Sequence, residues 1–137
     1  RLEDFKMELE RLAIAGPEIR CASAQDVRES FQYILLDAPC SGTGTIGRNP
    51  ELRVRVSEEG IRNAVRLQAE LLDSVWERLE RGGTLFYSTC AAGADENERQ
   101  ADAFIERHDD ASLAMRSMHM PLFPGEDVMF LAVFVKH

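Results

Sequence analysis

Two runs of β-forming residues, YILL at 33–36 and TLFYS at 84–88, flank a segment whose apolar residues recur at helical spacing: Ile61, Val65, Leu67, Leu71, Leu72, Val75, Trp76 and Leu79. Strand, long helix and strand close economically in one way, as a parallel pair joined by a right-handed crossover with the helix on one face. Ser57 before Glu58 and Glu59 reads as an N-cap with acids in the first turn, and Arg81-Gly82-Gly83 as the helix stop. The unbroken apolar character of 33–36 predicts a strand covered on both faces.

The rest of the chain extends this frame. Residues 1–15 carry Leu2, Phe5, Leu9, Leu12 and Ile14 at helical spacing, stopped by Gly16-Pro17. Residues 18–24 read as a short strand and 25–31 as a polar connector. A second helix is expected over 96–107, with Phe104 and Ile105 toward the core. Two closing strands, 111–118 and 128–136, are joined by the connection HMPLFPGED. This order gives an α/β layer structure whose sheet finishes antiparallel.

At 137 residues, 45% hydrophobic and 29% charged, the chain is one domain's worth of globular sequence. No apolar run approaches the roughly 20 residues of a membrane span, so no membrane association and a cytoplasmic setting are expected. The net charge of −8 opposes nonspecific attraction to nucleic acid, yet Arg48, Arg53, Arg55, Arg62 and Arg66 form a local basic strip. Cys21, Cys40 and Cys90 form no C-x-x-C pair and are odd in number, which points to reduced thiols. The histidines, His108, His119 and His137, stand at no ligand spacing from one another or from a cysteine, so no metal site is expected.

The segment LLDAPCSGTGTIGRNP, residues 35–50, contains G-x-G-x-x-G. A dinucleotide loop needs its first glycine directly after the strand and a helix opening at the last. Here Asp37 to Ser41 intervene, and Arg48-Asn49-Pro50 breaks a helix. The strand ends are more informative, because ligands of open α/β sheets bind beyond the carboxyl ends of the strands. Both strands run into a cysteine, through Asp37-Ala38-Pro39-Cys40 and Ser88-Thr89-Cys90; if they are adjacent, two thiols and the Asp37 carboxylate share one pocket. Cys21 has no such surroundings and reads as a small buried hydrophobe.

ILLDAPCSGTGTIGRNPELR, then Leu67-Gln68 and Leu71-Leu72, then GGTLFYSTC at 82–90, Glu96-Asn97-Glu98 and the closing MFLAVFVK resemble, in order and spacing, the Sun (Fmu, nucleolar p120) family of RNA 5-methylcytosine methyltransferases. The resemblance implies the C-terminal portion of a Rossmann-like S-adenosylmethionine-dependent methyltransferase fold, a mostly parallel sheet with an antiparallel last strand. It implies RNA, ribosomal RNA in the first place, as substrate. It implies Cys90 as nucleophile, Cys40 as the group that releases the covalent adduct, and Asp37 between base and cofactor. Ser23 and Pro39 would line the cofactor pocket, Arg48 and Arg53 would contact phosphate, and Gly42 and Gly44 would let the backbone approach the nucleic acid. The residues alone leave the two thiols interchangeable. In the DNA cytosine-5 methyltransferases the attacking thiol follows a proline, which would select Cys40, and a noncatalytic interaction module is the remaining alternative.

The family's glycine-rich cofactor loop, D-x-C-A-A-P-G-G-K-T, is not among these residues. Ser23 stands where the family usually has an acid, and Ala94 where a proline usually precedes the glutamate-asparagine pair. The expectation is therefore one partial domain over 1–137, weak in cofactor binding and inactive alone. Its apolar edge at 34–36 is expected to pair with a second copy, giving a homo-oligomer, or with residues 18–24.

Overall fold

The computed structural model describes residues 2–14, 18, 20, 23, 26–123 and 125–137. Helix α1 (Leu2–Arg11) leads to strand β1 (Phe31–Asp37), a 3-10 turn (Thr43–Thr45), a short helix α2 (Leu52–Arg55) and the long helix α3 (Glu58–Trp76). Strand β2 (Leu79–Thr89), helix α4 (Glu98–Arg107) and strands β3 (Ala111–His119) and β4 (Met129–Lys136) complete the order. The expected stop at Gly16-Pro17, most of the 18–24 segment, and Cys21 lie outside the described residues.

The four strands form one sheet in the order β1-β2-β4-β3. β1 runs parallel to β2, as the crossover predicts, while β4 is antiparallel to both β2 and β3. This is the α/β arrangement with an antiparallel finish that the sequence pattern implies. Among the described residues no helix is long and apolar enough to cross a membrane.

Helix α3 begins where Ser57 Oγ accepts the Gly60 N–H at 3.1 Å, and Glu58 and Glu59 face the positive end of the helix dipole. Its buried stripe, Gln68, Leu72, Val75 and Trp76, lies on the sheet together with Ala101 and Phe104 of α4. Trp76 meets Phe104 edge-on with ring centroids 5.1 Å apart, and Phe104 packs on Phe134 at 4.7 Å. Leu85, Tyr87 and Thr89 on β2 and Phe130, Ala132 and Phe134 on β4 point into this layer and are fully buried or nearly so.

Two expectations change. Helix α3 ends at Trp76, and Arg81-Gly82-Gly83 lies within β2 instead of stopping the helix. Two steps along β1, Phe31 to Tyr33, span five along β2, Leu79 to Thr84, so the glycines sit in a bulge. Gly82 has φ +76°, and a Cβ on Gly83 would lie 2.9 Å from the Gln32 carbonyl oxygen and 2.8 Å from that of Glu80. These glycines serve strand pairing. Secondly, among the described residues β1 is covered on one face only: Ile34 and Leu36 pack against the core, whereas Tyr33 is 67% and Leu35 69% exposed. Both described helices that pack on the sheet, α3 and α4, lie on its other side, and among the described residues β1 is an edge strand.

This division predicts unequal costs. Phe104→Ala should lower unfolding stability by about 3–5 kcal/mol, whereas Leu35→Ala should stay within about 0.5 kcal/mol. Urea denaturation of the two variants measures the difference.

Candidate active site

The parallel pairing of β1 and β2 puts Asp37 opposite Ser88, so both chains leave the sheet at the same level. The Ala38 N–H donates to the Ser88 carbonyl at 2.9 Å and extends the pairing by one residue beyond β1. From there the loops of Cys40 and Cys90 turn toward each other, and the two sulfurs stand 3.2 Å apart. Both are free thiols and half-buried.

Burial and the neighbouring Cys40 thiol push the Cys90 pKa up to about 12, with the Asp37 carboxylate adding to the effect. Cys90 is therefore held as a thiol at neutral pH. Asp37 is exposed at the end of β1, and no hydrogen bond to its side chain is formed among the described residues.

A buried polar network holds the two loops. The Glu96 carboxylate accepts the Ser41 N–H at 2.8 Å, the Ser41 hydroxyl at 2.5 Å and the Gln68 amide at 3.1 Å. Gln68 Nε2 also donates to the Pro39 carbonyl at 3.0 Å. Turning that amide round would set its oxygen against two acceptors, so its orientation is fixed although Gln68 Oε1 has no partner. Asn97 performs the matching task on the other loop: its Oδ1 accepts the Thr89 hydroxyl at 2.6 Å and its Nδ2 donates to the Ala91 carbonyl at 2.9 Å. The Tyr87 hydroxyl donates to the Glu96 carbonyl oxygen at 2.7 Å, and burial pushes the phenol pKa up, which keeps this donor protonated.

The glycine loop packs against its own chain. The Gly44 N–H donates to the Cys90 carbonyl at 2.9 Å, and a Cβ on Gly44 would come within 2.7 Å of that oxygen and of Val128 Cβ. Gly44 is thus required for the loop's approach to Cys90 and Val128 within the chain itself. Gly42, at φ +70°, makes the turn.

Of the residues singled out from sequence, Cys40, Cys90, Asp37 and Pro39 gather at this strand end. Arg48 donates through Nε to Asp127 at 3.0 Å and makes a second, NH2-mediated bond to the same carboxylate, which it holds below the usual carboxylate range. Arg53 is exposed on α2, outside the thiol network. Ser23 is exposed upstream of β1, its carbonyl accepting the Asp26 N–H at 2.9 Å. Glu96, Asn97 and Gln68 stood in the motifs that carry the family resemblance, but nothing local in the sequence marked them as the groups that hold the thiol loops. Among the described residues no group of three or more His, Cys, Asp or Glu side chains could hold a metal ion.

The thiol environment gives a pH prediction. Because the Cys90 pKa is raised, its alkylation by iodoacetamide should still climb about tenfold per pH unit at pH 9, where an ordinary thiol is already levelling off. Cys40→Ala removes two of the influences that raise this pKa, so Cys90 should react faster at pH 8 in that variant. Peptide mass spectrometry reads both rates; a plateau below pH 9 would show an unshifted thiol.

The sequence pattern of the family described as 16S rRNA methyltransferase RsmB/F matches residues 1–131. The ribosomal RNA small subunit methyltransferase B of Photorhabdus laumondii is 49% identical over 115 residues, covering 79% of this chain and 27% of that protein. The protein of the same name from Vibrio cholerae is 37% identical over 137 residues, covering 94% of this chain and 31% of its own length. The crystal structure of NSun6 from Pyrococcus horikoshii with SFG shares the fold, with a TM-score of 0.86 and 24% identity over 99% of this chain and 38% of that one. The chain thus spans less than a third of the length of these two methyltransferase B relatives. With its motifs, fold and sequence in agreement, the chain belongs to the RsmB/F family of 16S rRNA methyltransferases, the Sun/Fmu group.

Proposed function

We propose that this segment supplies the two thiols for S-adenosylmethionine-dependent methylation of carbon 5 of cytosine in ribosomal RNA. The observation that carries this reading is the 3.2 Å approach of Cys40 and Cys90 sulfurs at the carboxyl ends of two parallel strands. Carbon 5 of cytosine is too weak a nucleophile to be methylated unaided. The Cys90 thiolate adds to carbon 6, forming an S–C bond and making carbon 5 nucleophilic; S-adenosylmethionine, when bound, supplies the electrophilic methyl group. Loss of the carbon 5 proton then expels the Cys90 sulfur and restores the aromatic ring.

In the resting protein the Cys90 proton must leave before attack, and the Cys40 sulfur is in hydrogen-bond contact to take part in that transfer and in the later release. The residues present fit one side of a nucleoside cofactor: Asp37 offers an exposed acceptor at the strand end, with Pro39 beside it and Ser23 upstream. The target base must leave any stack to reach half-buried thiols, so an unpaired or flipped cytosine is the substrate. Arg48 would reach phosphate by exchanging its Asp127 partner, while Arg53 is already exposed. A cytoplasmic setting agrees with the reduced thiols and the RNA substrate.

The test uses a family-length enzyme containing this segment, 16S rRNA and the methyl donor. Cys90→Ala should abolish both 5-methylcytosine and any covalent RNA complex. Cys40→Ala should accumulate a denaturation-stable RNA adduct. Nucleoside mass spectrometry and denaturing gels read the two, and the reverse pattern would exchange the roles. For the isolated chain we propose weak cofactor binding, no activity, and self-association through the outer edge of β1. Light scattering should detect a dimer that Leu35→Lys disrupts, and a monomer at high concentration would refute the self-pairing.

A further inference from the structure

The two loops that carry the thiols are linked to one dipeptide. Glu96 and Asn97 are buried, at 1% and 0% exposure, and occupy adjacent positions at the entrance to α4. Glu96 reaches 55 residues back in sequence to both the backbone and the hydroxyl of Ser41, the residue after Cys40. Asn97 grips Thr89 and Ala91, the residues on either side of Cys90. Gln68 completes the Glu96 side by holding the Pro39 carbonyl, so the peptide units flanking Cys40 are held on both sides.

Direct ties between the loops lie elsewhere. Gly44 N–H bonds the Cys90 carbonyl, and Ala92 N–H bonds the Thr43 hydroxyl, which in turn lies 3.1 Å from the Ser41 hydroxyl; of residues 39–41 this route reaches only the Ser41 side chain, whereas Glu96 and Gln68 hold the peptide units on both sides of Cys40. Adjacent residues on one backbone cannot move independently, and the short hydrogen bonds from each side chain transmit that rigidity to the loops. A buried carboxylate and amide are costly to place in a core unless fully engaged, and here their engagement is spent on the two cysteine loops.

We infer that Glu96 and Asn97 are a paired positioning element that sets the spacing of the two thiols, Glu96 governing Cys40 and Asn97 governing Cys90. Neither is a catalytic residue, since each acts through the loop it holds. The inference about geometry stands on the hydrogen bonds alone; its consequence for catalysis rests on the covalent mechanism proposed above.

The experiment reads geometry and chemistry separately. In the chain with Cys21→Ser, dibromobimane, whose two bromides are displaced by two thiolates, bridges Cys40 and Cys90, and mass spectrometry gives the rate. Glu96→Gln and Asn97→Asp should each slow bridging about tenfold or more, while alkylation of single thiols by iodoacetamide changes less than twofold. Ser41→Ala and Thr89→Val, which each remove one side-chain bond from the loop side without altering the dipeptide, should slow bridging in the same direction by a smaller factor and keep the test decisive if a dipeptide variant does not fold. Bridging within twofold of the parent in the folded variants would overturn the inference. In the family-length enzyme, Glu96→Gln should accumulate the RNA adduct as loss of Cys40 does, and Asn97→Asp should suppress adduct formation. Slowed bridging with no adduct in any variant, including Cys40→Ala, would uphold the positioning element and sink the covalent reading instead.

Discussion

The hydrogen bonds of the buried Glu96 carboxylate organise the thiol-bearing end of the fold. Parallel pairing of β1 and β2 delivers two loops to the same level, but loops beyond a sheet have no ladder to hold them. Three donors from two distant segments converge on one carboxylate, and Ser41 and Gln68 are thereby fixed relative to α4. Hydrogen bonds to a charged acceptor are worth about 1.5–3 kcal/mol each in net terms. The arrangement therefore tolerates the unpartnered Gln68 Oε1, a loss of similar size.

The same end of the sheet couples loop packing to sulfur chemistry. Gly44 lies against the Cys90 carbonyl and Val128, and Val128 in turn donates its N–H to the Gly44 carbonyl at 3.0 Å. The β3–β4 connection is thus joined to the glycine loop, with the Arg48–Asp127 pair alongside. That pair is solvent-accessible on the arginine side, so it contributes little to stability.

The sequence made the parallel pair and its strand-end cysteines legible because both follow from short-range patterns: helical spacing over 61–76, β-forming runs, and residues immediately after them. The Gly82-Gly83 stop was misread because glycine pairs end helices more often than they form bulges, and only the pairing with Gln32 distinguishes the two. The burial of β1 was overestimated since apolar composition reports what a strand can bury, not what lies over it. Glu96 and Gln68 were visible as motif letters, yet their partners stand 55 and 28 residues away from each interaction's other end, and no local pattern encodes such contacts.

The raised Cys90 pKa has a consequence beyond proton transfer. A thiol that keeps its proton is a poor target for peroxides and for the electrophiles of ordinary metabolism, because oxidation and alkylation both follow the thiolate. Holding the proton keeps Cys90 chemically quiet at rest, and its reactivity becomes conditional on whatever removes that proton.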